Sequence, residues 1–516
     1  MNTISLRTSP ISDMKHFSSL IAVFLLLTAC GPQLPTKYNE TKSLPMIYPD
    51  YTNVTVPVNI APLTFQMDPA VDEMAARFSC GSEELICCGT KIQPDLDDWR
   101  GLTATARDKD IEVEVYARTK GQWIRFAPFA IHVSSDSIDP YISYRLIAPS
   151  YVTYRDLTIN QRCLESYDES VIYDNVLCTD GSNGQCINCH NYQNYNPNRM
   201  QFHARQNLGG TIIAYDGDFR KINMRNDSIL SAGVYPAWHP FLKLIVYSTN
   251  LTHQTFHTVN PNKIEVFDTR SDLIAYDVEK NEVTNLESGS DELEVFPCWA
   301  PDGKAVYYCS AHLEYQDTID EGVEYIARAE QVKYNIYRKR FDPDTRQFGA
   351  RELVFDAAAM DKSATLPRIS PDGRYLMFAL ASYGVFHIWH RDADLWLMDL
   401  ALVDDNTKAV RQMMEINSND VESYHSWSSN GRWVVFSSRR YDGNFTRPFI
   451  AHIDKNGRGT KPFELPSADP DYHRQFMRSY NIPEFMRGPV TIRPQDFAAA
   501  LKGEAIPVKY VQQLNK

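Results

Sequence analysis

The chain has 516 residues, of which 65 are Asp or Glu and 52 are Lys or Arg, so its formal net charge is −13. This acidic balance, without a run of basic residues, argues against nucleic-acid binding, because such proteins neutralise phosphates with Lys and Arg. The length suggests about two to four domains, and the ten cysteines exceed what reduced cytosolic proteins usually carry.

The amino terminus carries features of an export signal. A basic start at Lys15 precedes an apolar run from Leu20 to Leu27, which is too short to span a bilayer as a stable helix. The run ends in Leu27-Thr28-Ala29-Cys30, which resembles the bacterial lipoprotein signal. The resemblance implies a signal peptide in residues 1–30 and acyl chains on Cys30 that hold the protein on a membrane without spanning it. An ordinary cleaved secretory peptide is the alternative.

The rest of the chain is expected outside the cytoplasm. No later run reaches 18 apolar residues, so we expect a soluble chain on the periplasmic or surface side of a bacterial envelope, anchored to the outer membrane. Residues 31–50 have no apolar period and indicate a tether from the membrane to the first folded part.

Residues 51–136 predict a small β-rich domain. Apolar and polar residues alternate in four short stretches, which is typical of strands with one buried face. These stretches are Val54–Val58, Leu63–Met67, Ile111–Val115 and Trp123–Phe126. The most economical fold is a small, immunoglobulin-like β-sandwich. Its cysteines, Cys80, Cys87 and Cys88, are expected to form a disulfide that staples a loop.

The most informative stretch is Cys186-Ile187-Asn188-Cys189-His190, a C-x-x-C-H sequence. This spacing is the signature for covalent attachment of c-type haem, because two thiols three positions apart can add to the two vinyl groups of one porphyrin. His190 then becomes the proximal ligand of the iron. A thiol pair or disulfide that happens to precede a histidine is the alternative. Haem attachment needs an exported chain, so this prediction agrees with the amino terminus.

From about residue 230 the chain repeats itself. Each repeat has an aromatic or apolar residue, then a Pro-Asp-Gly or Asn-Gly turn in three of the four, then an apolar strand, which indicates a hairpin. The four repeats are Tyr235–Ser248, Phe296–Cys309, Leu366–Ala379 and Tyr424–Ser437. A second strand pair follows each hairpin, and the markers Trp238, Trp299, Ile369 and Trp427 recur about every 60 to 70 residues, the size of a propeller blade.

These hairpins resemble the TolB-type propeller repeats over roughly residues 233–466, which implies a β-propeller and says little about function. Two weaker repeats lie upstream, one with the haem motif and the strands 200–204 and 210–216, the other over 141–162. We therefore predict an all-β protein with a six-bladed propeller over residues 137–466. The haem motif lies within a blade, and this resembles bacterial propeller lipoproteins that carry a single C-x-x-C-H.

The repeat alignment also suggests a sixth iron ligand. After the aromatic residue of the hairpin strand, the regular repeats have a small residue, whereas the haem repeat has His203 after Phe202. Such local departures are expected at functional sites. Met200 is the other candidate, because thioether ligation is established for haem, although it also matches a core position. An open iron site is the third possibility.

The remaining features are weaker. Cys298 with Cys309, and Cys163 with Cys178, are candidate disulfides, and the acidic run 317–324 indicates a solvated loop because it lacks the ligand spacing of a calcium loop. No G-x-S-x-G sequence supports a serine peptidase. The tail, residues 467–516, has a helical stretch near Pro494–Leu501 and is expected to pack on the propeller.

The sequence thus predicts a lipid-anchored envelope protein with one covalent haem c, acting in electron transfer or redox sensing with a redox or envelope protein partner. A TolB-like interaction scaffold without functional haem is the alternative. Enzyme activity, such as a peroxidase reaction, would require an open iron site.

Overall fold

The structure is a computed structural model that describes residues 32–149, 156–178, 186–316, 320–402 and 409–512. The predicted signal peptide and the lipidation site Cys30 lie outside the described residues. Within the described ranges, no helix has both the length and the apolar character needed to cross a membrane.

The amino-terminal region forms one sheet with a helix, and the predicted β-sandwich is wrong. Its elements are β1 (Asn39–Glu40), β2 (Ile47–Tyr48), β3 (Thr55–Pro57), β4 (Gln66–Met67), β5 (Glu73–Cys80), β6 (Glu83–Gly89), α1 (Leu96–Thr105), β7 (Lys109–Thr119), β8 (Gln122–Arg125) and β9 (Phe129–Ser134). Seven of these strands join in one sheet, in the order β1-β8-β7-β5-β6, with β9 also on β7 and β3 on β9. Strands β2 and β4 pair separately.

The alternating pattern indicated a buried face, and the structure shows what covers it. Helix α1 begins after Asp95, whose carboxylate accepts hydrogen bonds from two backbone N–H groups of the first turn, and it buries Trp99 edge-on against Phe78. The same apolar cluster includes Trp433 and Ile450 from a sheet near the carboxyl end. The amino-terminal sheet therefore packs on helix α1 and on a sheet of the propeller, and not on a second sheet formed by residues 51–136.

Two sheets precede the regular repeats. The strands of this part are β10 (Tyr141–Ile147), β11 (Thr158–Cys163), β12 (Glu169–Asp174), β13 (Ile187–Tyr192), β14 (Arg199–Ala204), β15 (Gly210–Tyr215) and β16 (Asp218–Asn223). Strands β10–β12 form one antiparallel sheet and β13–β16 another.

The regular repeats follow as four antiparallel blades of four strands each. The first blade has β17 (Val234–Trp238), β18 (Leu244–Phe256), β19 (Ile264–Asp277) and β20 (Glu282–Glu287); the second has β21 (Glu292–Trp299), β22 (Ala305–His312), β23 (Asn335–Asp342) and β24 (Gln347–Phe355), with α2 (Glu321–Ala327) before β23. The third has β25 (Ser363–Ile369), β26 (Tyr375–Ala381), β27 (Asp394–Asp399) and β28 (Val410–Gln412); the fourth has β29 (Glu422–Trp427), β30 (Trp433–Ser438), β31 (Arg447–His452) and β32 (Phe463–Glu464). A single bridge between β19 and β21 joins the first two blades in one sheet.

The recurring tryptophans connect neighbouring blades. The Trp299 indole N–H donates to the Ala237 carbonyl of the preceding blade at 3.1 Å, and the Trp427 indole donates to the Arg368 carbonyl at 3.2 Å. Ile369 occupies this position in the third blade and has no such donor. The aromatic marker of the repeat is thus a contact between blades.

The prediction of a six-bladed propeller is wrong, because the regular four-stranded repeat extends over four blades. The sheet of β10–β12 runs in the order β12-β11-β10-β33 and takes its fourth strand from the carboxyl-terminal segment. The sheet of β13–β16 carries a fifth strand, β34, in parallel. These upstream stretches lack the Pro-Asp-Gly turn, and strands distant in sequence complete their sheets, so counting local repeats could not describe them.

The carboxyl-terminal segment adds strands to three sheets. It contains α3 (Tyr472–Gln475), β33 (Ser479–Met486), α4 (Pro494–Lys502), β34 (Ile506–Pro507) and β35 (Lys509–Tyr510). Strand β33 pairs antiparallel with β10, β34 parallel with β16, and β35 parallel with β20. The tail is therefore part of the sheets and not only packed on them.

The predicted disulfides are not formed, since all nine described cysteines are free. In the β5–β6 ladder Cys80 lies opposite Glu83 and Cys87 opposite Ala76. Cys87 is therefore level with Ala76, four residues before Cys80 along β5. Four residues of strand correspond to about 13 Å between Cα atoms, well beyond the roughly 7 Å that a disulfide can bridge. A bulge likewise places Cys298 opposite Tyr307 and not opposite Cys309. The Cys178 thiol contacts the Ala498 carbonyl and is not bonded to Cys163.

Candidate functional site

A channel runs between the innermost strands, β17, β21, β25 and β29 of the blades together with β13 and β33. Each of these strands has a bulge or irregularity in its pairing and a non-glycine residue at positive φ. These residues are Cys189, Tyr235, Phe296, Leu366, Tyr424 and Ile482. All six line the waist, the narrow central part of the channel, whose cavity volume is about 20 Å³.

The channel widens at both ends. At one end, called the mouth, the cavity volume is about 410 Å³, and its walls include Trp299, Trp427 and Arg368. At the other end, called the strap end, the cavity volume is about 130 Å³ and the walls include Arg145 and Cys186.

The strap end is covered by the outer half of the β18–β19 hairpin, residues 252–268, called the strap. Its Glu265 carboxylate contacts His390 Nε2 at 3.1 Å, and its Lys263 ammonium donates to the Gly443 carbonyl at 3.2 Å. Ile264 packs beside Trp389. These contacts with the third and fourth blades hold the strap across that end of the channel.

His190 lies in β13 at the waist, with 1% of its surface exposed. Neither ring nitrogen makes a hydrogen bond of good geometry with the described residues, although the backbone carbonyls of Ser143 and Ile482 face the ring. Burial, with the Arg145 guanidinium nearby, lowers the pKa of His190 to about 3, so the imidazole is neutral. A buried ring nitrogen without a well-formed hydrogen bond costs up to about 1 to 3 kcal/mol. A neutral imidazole whose nitrogens are only weakly bonded is suited to bind a metal.

The two cysteines of the motif are buried, Cys186 just before β13 and Cys189 within the β13 bulge. Cys189 has a φ of 58°, and its sulfur accepts a hydrogen bond from the Tyr235 backbone N–H at 3.4 Å. Burial raises the pKa of the Cys189 thiol, so it is protonated. Cys189 and His190 line the waist, whereas Cys186 lines the strap-end cavity. The motif thus faces two adjacent cavities.

The structure does not bring His203 or Met200 to the waist. Met200 is fully buried in an apolar cluster that includes Phe202. His203 Nδ1 lies 3.1 Å from the Thr211 hydroxyl, and the ring lines a different cavity. From β14, Gln201 reaches the motif, donating from its amide to the Cys189 carbonyl at 2.8 Å. As placed, neither candidate sixth ligand shares a cavity with His190.

The fit of a haem to this site depends on chemistry and on space. Two free thiols and a neutral imidazole supply the donor set that covalent attachment needs. The guanidinium groups of Arg145 and Arg205 line the strap-end cavity and suit carboxylate side chains such as the propionates of haem. Ligand pockets usually have about 300 Å³ or more, so the waist and the strap end must open into one space for attachment. The side chains present therefore match the chemistry of haem attachment, but the channel would have to widen to hold the haem.

Two charged groups at the channel were not predicted from the sequence. Glu484 of β33 accepts a hydrogen bond from the Asn191 amide at 2.8 Å, and burial raises the pKa of its carboxyl to about 7. Arg368 lines both the mouth and the waist. The repeat alignment held a signal for Arg368, because the equivalent residues of the other blades are the small Ala237, Cys298 and Ser426. Glu484 comes from the tail, where no repeat could indicate it.

The described part of the acidic run, residues 320–324, forms the start of α2. Residues 317–319 lie outside the described ranges, and the Asp320 carboxylate caps α2 by accepting from the Val323 N–H at 3.0 Å. In the described part of the chain, no three His, Cys, Asp or Glu residues are grouped so as to hold a metal ion.

Comparison with known proteins gives a distant likeness to hydrolase structures. No family model matches the chain, and no curated protein matches it. Among solved structures, it is similar to a mutant puromycin hydrolase complexed with PGG, with a TM-score of 0.34, 11% identity and coverage of 64% of this chain and 45% of that one. It is also similar to a mutant prolyl oligopeptidase B from Galerina marginata bound to a 35mer substrate, with a TM-score of 0.33 and 11% identity. That match covers 69% of this chain and 52% of the other. The chain thus spans about half the length of the solved proteins it matches.

Proposed function

We propose that the protein binds one haem c covalently through Cys186 and Cys189, with His190 as the axial iron ligand, and that it carries single electrons or senses redox state. The observation that supports this most is the buried, neutral His190, which makes no well-formed hydrogen bond and lies in one motif with the free thiols of Cys186 and Cys189. Cys30 would anchor the protein to the outer membrane of a bacterial envelope, where it would meet a redox or envelope protein partner.

Bound haem would supply one-electron chemistry at its iron. The chain's own residues have three tasks. His190 stays neutral, so it does not have to lose a proton before it binds iron. The Gln201 amide holds the Cys189 carbonyl, and the Arg145 guanidinium donates to the Ile187 carbonyl at 3.1 Å, so the backbone of the motif is fixed from both sides. The strap lies over the strap end and would limit the access of water to bound haem.

The test is a pyridine haemochrome spectrum of the full chain, expressed in a host with c-type maturation. We expect covalent haem in the wild type and none in Cys186→Ala/Cys189→Ala. The matched control is Cys298→Ala/Cys309→Ala, which removes two buried thiols of a regular blade and should retain haem.

Absence of covalent haem from the wild type would overturn the proposal and leave a propeller scaffold as the better interpretation. Retention of haem by the motif variant would do the same. Labelling with a fatty-acid probe, compared with Cys30→Ala, tests the anchor separately.

A further inference from the structure

We propose that the mouth of the channel binds a small molecule that carries a carboxylate on a flat apolar group, with the Arg368 guanidinium as the carboxylate-binding group. This site goes beyond the haem function proposed above and does not depend on it.

Arg368 has hydrogen-bond donors that the protein does not use fully. Its side chain is half-buried in the wall of the mouth, its hydrogen bond to the Pro367 carbonyl is long at 3.5 Å, and its other partner there is the sulfur of Cys298, a weak acceptor. Among the described residues it makes no ion pair within 4.0 Å, although most other arginines near the blades do so, such as Arg374 with Asp399 at 3.0 Å. A guanidinium has five N–H donors in a fork that matches a carboxylate. Arg368 therefore has donors left for a ligand.

The mouth has the size and the lining of a small-molecule pocket. Its volume of about 410 Å³ is within the range of about 300 to 1,000 Å³ that is usual for such pockets. The indole N–H groups of Trp299 and Trp427 are used in the contacts between blades, so these rings present carbon surface to the cavity. Pro236 and Pro371 add further apolar wall. Such walls favour a flat apolar group beside the carboxylate.

The balance of charge in the mouth favours an anion. Arg487 adds a second cation, stacked on Tyr195, and Glu484 is the one carboxyl group among the described residues that line the cavity. His425 of β29 is near Arg368, and burial lowers its pKa to about 3, so it adds no charge. Burial raises the pKa of Glu484 to about 7, against the lowering effects of the Arg368 guanidinium and the Asn191 amide. This carboxyl is therefore mostly neutral below pH 7, and above it the charged form both attracts Arg368 and repels an anionic ligand. Carboxylate binding should thus weaken as the pH rises through about 7.

Calorimetric titration of the full mature chain with benzoate tests the proposal, with benzamide as a probe of the same shape without charge. We expect benzoate to bind at pH 6, benzamide to bind at least tenfold more weakly, and Arg368→Gln to weaken benzoate at least tenfold. The matched control is Arg374→Gln in the same blade, which should bind benzoate as the wild type does. Glu484→Gln should bind benzoate several-fold more tightly than the wild type at pH 8.

Equal binding of benzoate and benzamide would overturn the proposal, as would unchanged binding in Arg368→Gln or no heat with wild type. Arg368→Lys provides a second test if the glutamine variant does not fold. Lysine keeps the positive charge but lacks the paired N–H donors of the guanidinium, so we expect an affinity for benzoate between those of the wild type and Arg368→Gln. Wild-type affinity would contradict the assigned role. These outcomes do not depend on haem content, which the haemochrome spectrum measures separately.

Discussion

The hairpin that carries His190 and the equivalent hairpin of the fourth blade differ at one decisive point. His190 follows the positive-φ residue Cys189, and His425 follows the positive-φ residue Tyr424. Both histidines are buried, and burial lowers the pKa of each to about 3. The His425 ring, however, bonds through Nε2 to the Met377 carbonyl at 3.0 Å, whereas the carbonyls of Ser143 and Ile482 near the His190 ring form no hydrogen bond of good geometry with it.

This difference separates a structural histidine from a candidate ligand. The fold at this position can accommodate a buried imidazole and bond it to a carbonyl of the preceding blade, as His425 shows. At His190 no bond of that quality is formed, and the free thiol of Cys189 takes the place of the aromatic or apolar residue found in the other blades. Position within the repeat therefore explains the burial of His190, and the lack of a well-formed hydrogen bond at its ring is what makes it a candidate ligand.

The largest expected effect comes from His190→Ala. The thioether bonds do not involve the imidazole, so covalent haem should remain in the haemochrome assay while the visible spectrum of the native protein changes completely. His425→Ala is the matched control and should leave that spectrum unchanged. If the two variants gave the same spectrum, the distinction between these histidines would fail.

A smaller effect is expected within the regular hairpins, where two turn glycines differ in their surroundings. A Cβ at Gly303 would be 2.6 Å from the His239 ring, which is held by its bond to the Gly303 carbonyl, whereas a Cβ at Gly373 has no atom within 4 Å. Both residues have positive φ. We expect Gly303→Ala to lower the free energy of unfolding by about 3 kcal/mol and Gly373→Ala by about 1 kcal/mol. Denaturant unfolding measures both, and equal losses would refute the contact argument.

The smallest effect is expected on the second strand of the haem hairpin. Because His203 and Met200 do not share a cavity with His190, His203→Ala and Met200→Leu should leave the spectrum of the haem-loaded protein unchanged. A loss of low-spin bands in either variant would show that β14 rearranges on haem attachment and would restore that residue as the sixth ligand.

Local patterns in the sequence predicted the strands of the blades well. The Pro-Asp-Gly and Asn-Gly turns, the tryptophan markers and the period-two strands depend on neighbours within a few residues, so they can be recognised without knowledge of the fold. The C-x-x-C-H spacing is equally local and can be recognised in the same way, while the haem attachment that it indicates stays a prediction.

What failed depended on contacts between distant parts of the chain. The amino-terminal sheet packs on Trp433, more than 300 residues away in sequence, and Glu484 enters the channel only because β33 pairs with β10. The placement of the two candidate sixth ligands was not anticipated for a related reason. The repeat alignment located His203 along its strand, but it could not show that Met200 and His203, on opposite faces of β14, lie in an apolar cluster and at a different cavity, respectively.

The pairing of β33 with β10 also bears on when the proposed haem attachment would take place. If the chain is exported from its amino end, as proposed above, residues 186–190 emerge roughly 290 residues before β33 does. Without β33, β10 has an open edge and the channel lacks one wall, so both thiols would be open to an attachment enzyme. Once β33 is in place, Cys186 and Cys189 are buried. Attachment would therefore have to precede the pairing of this late strand.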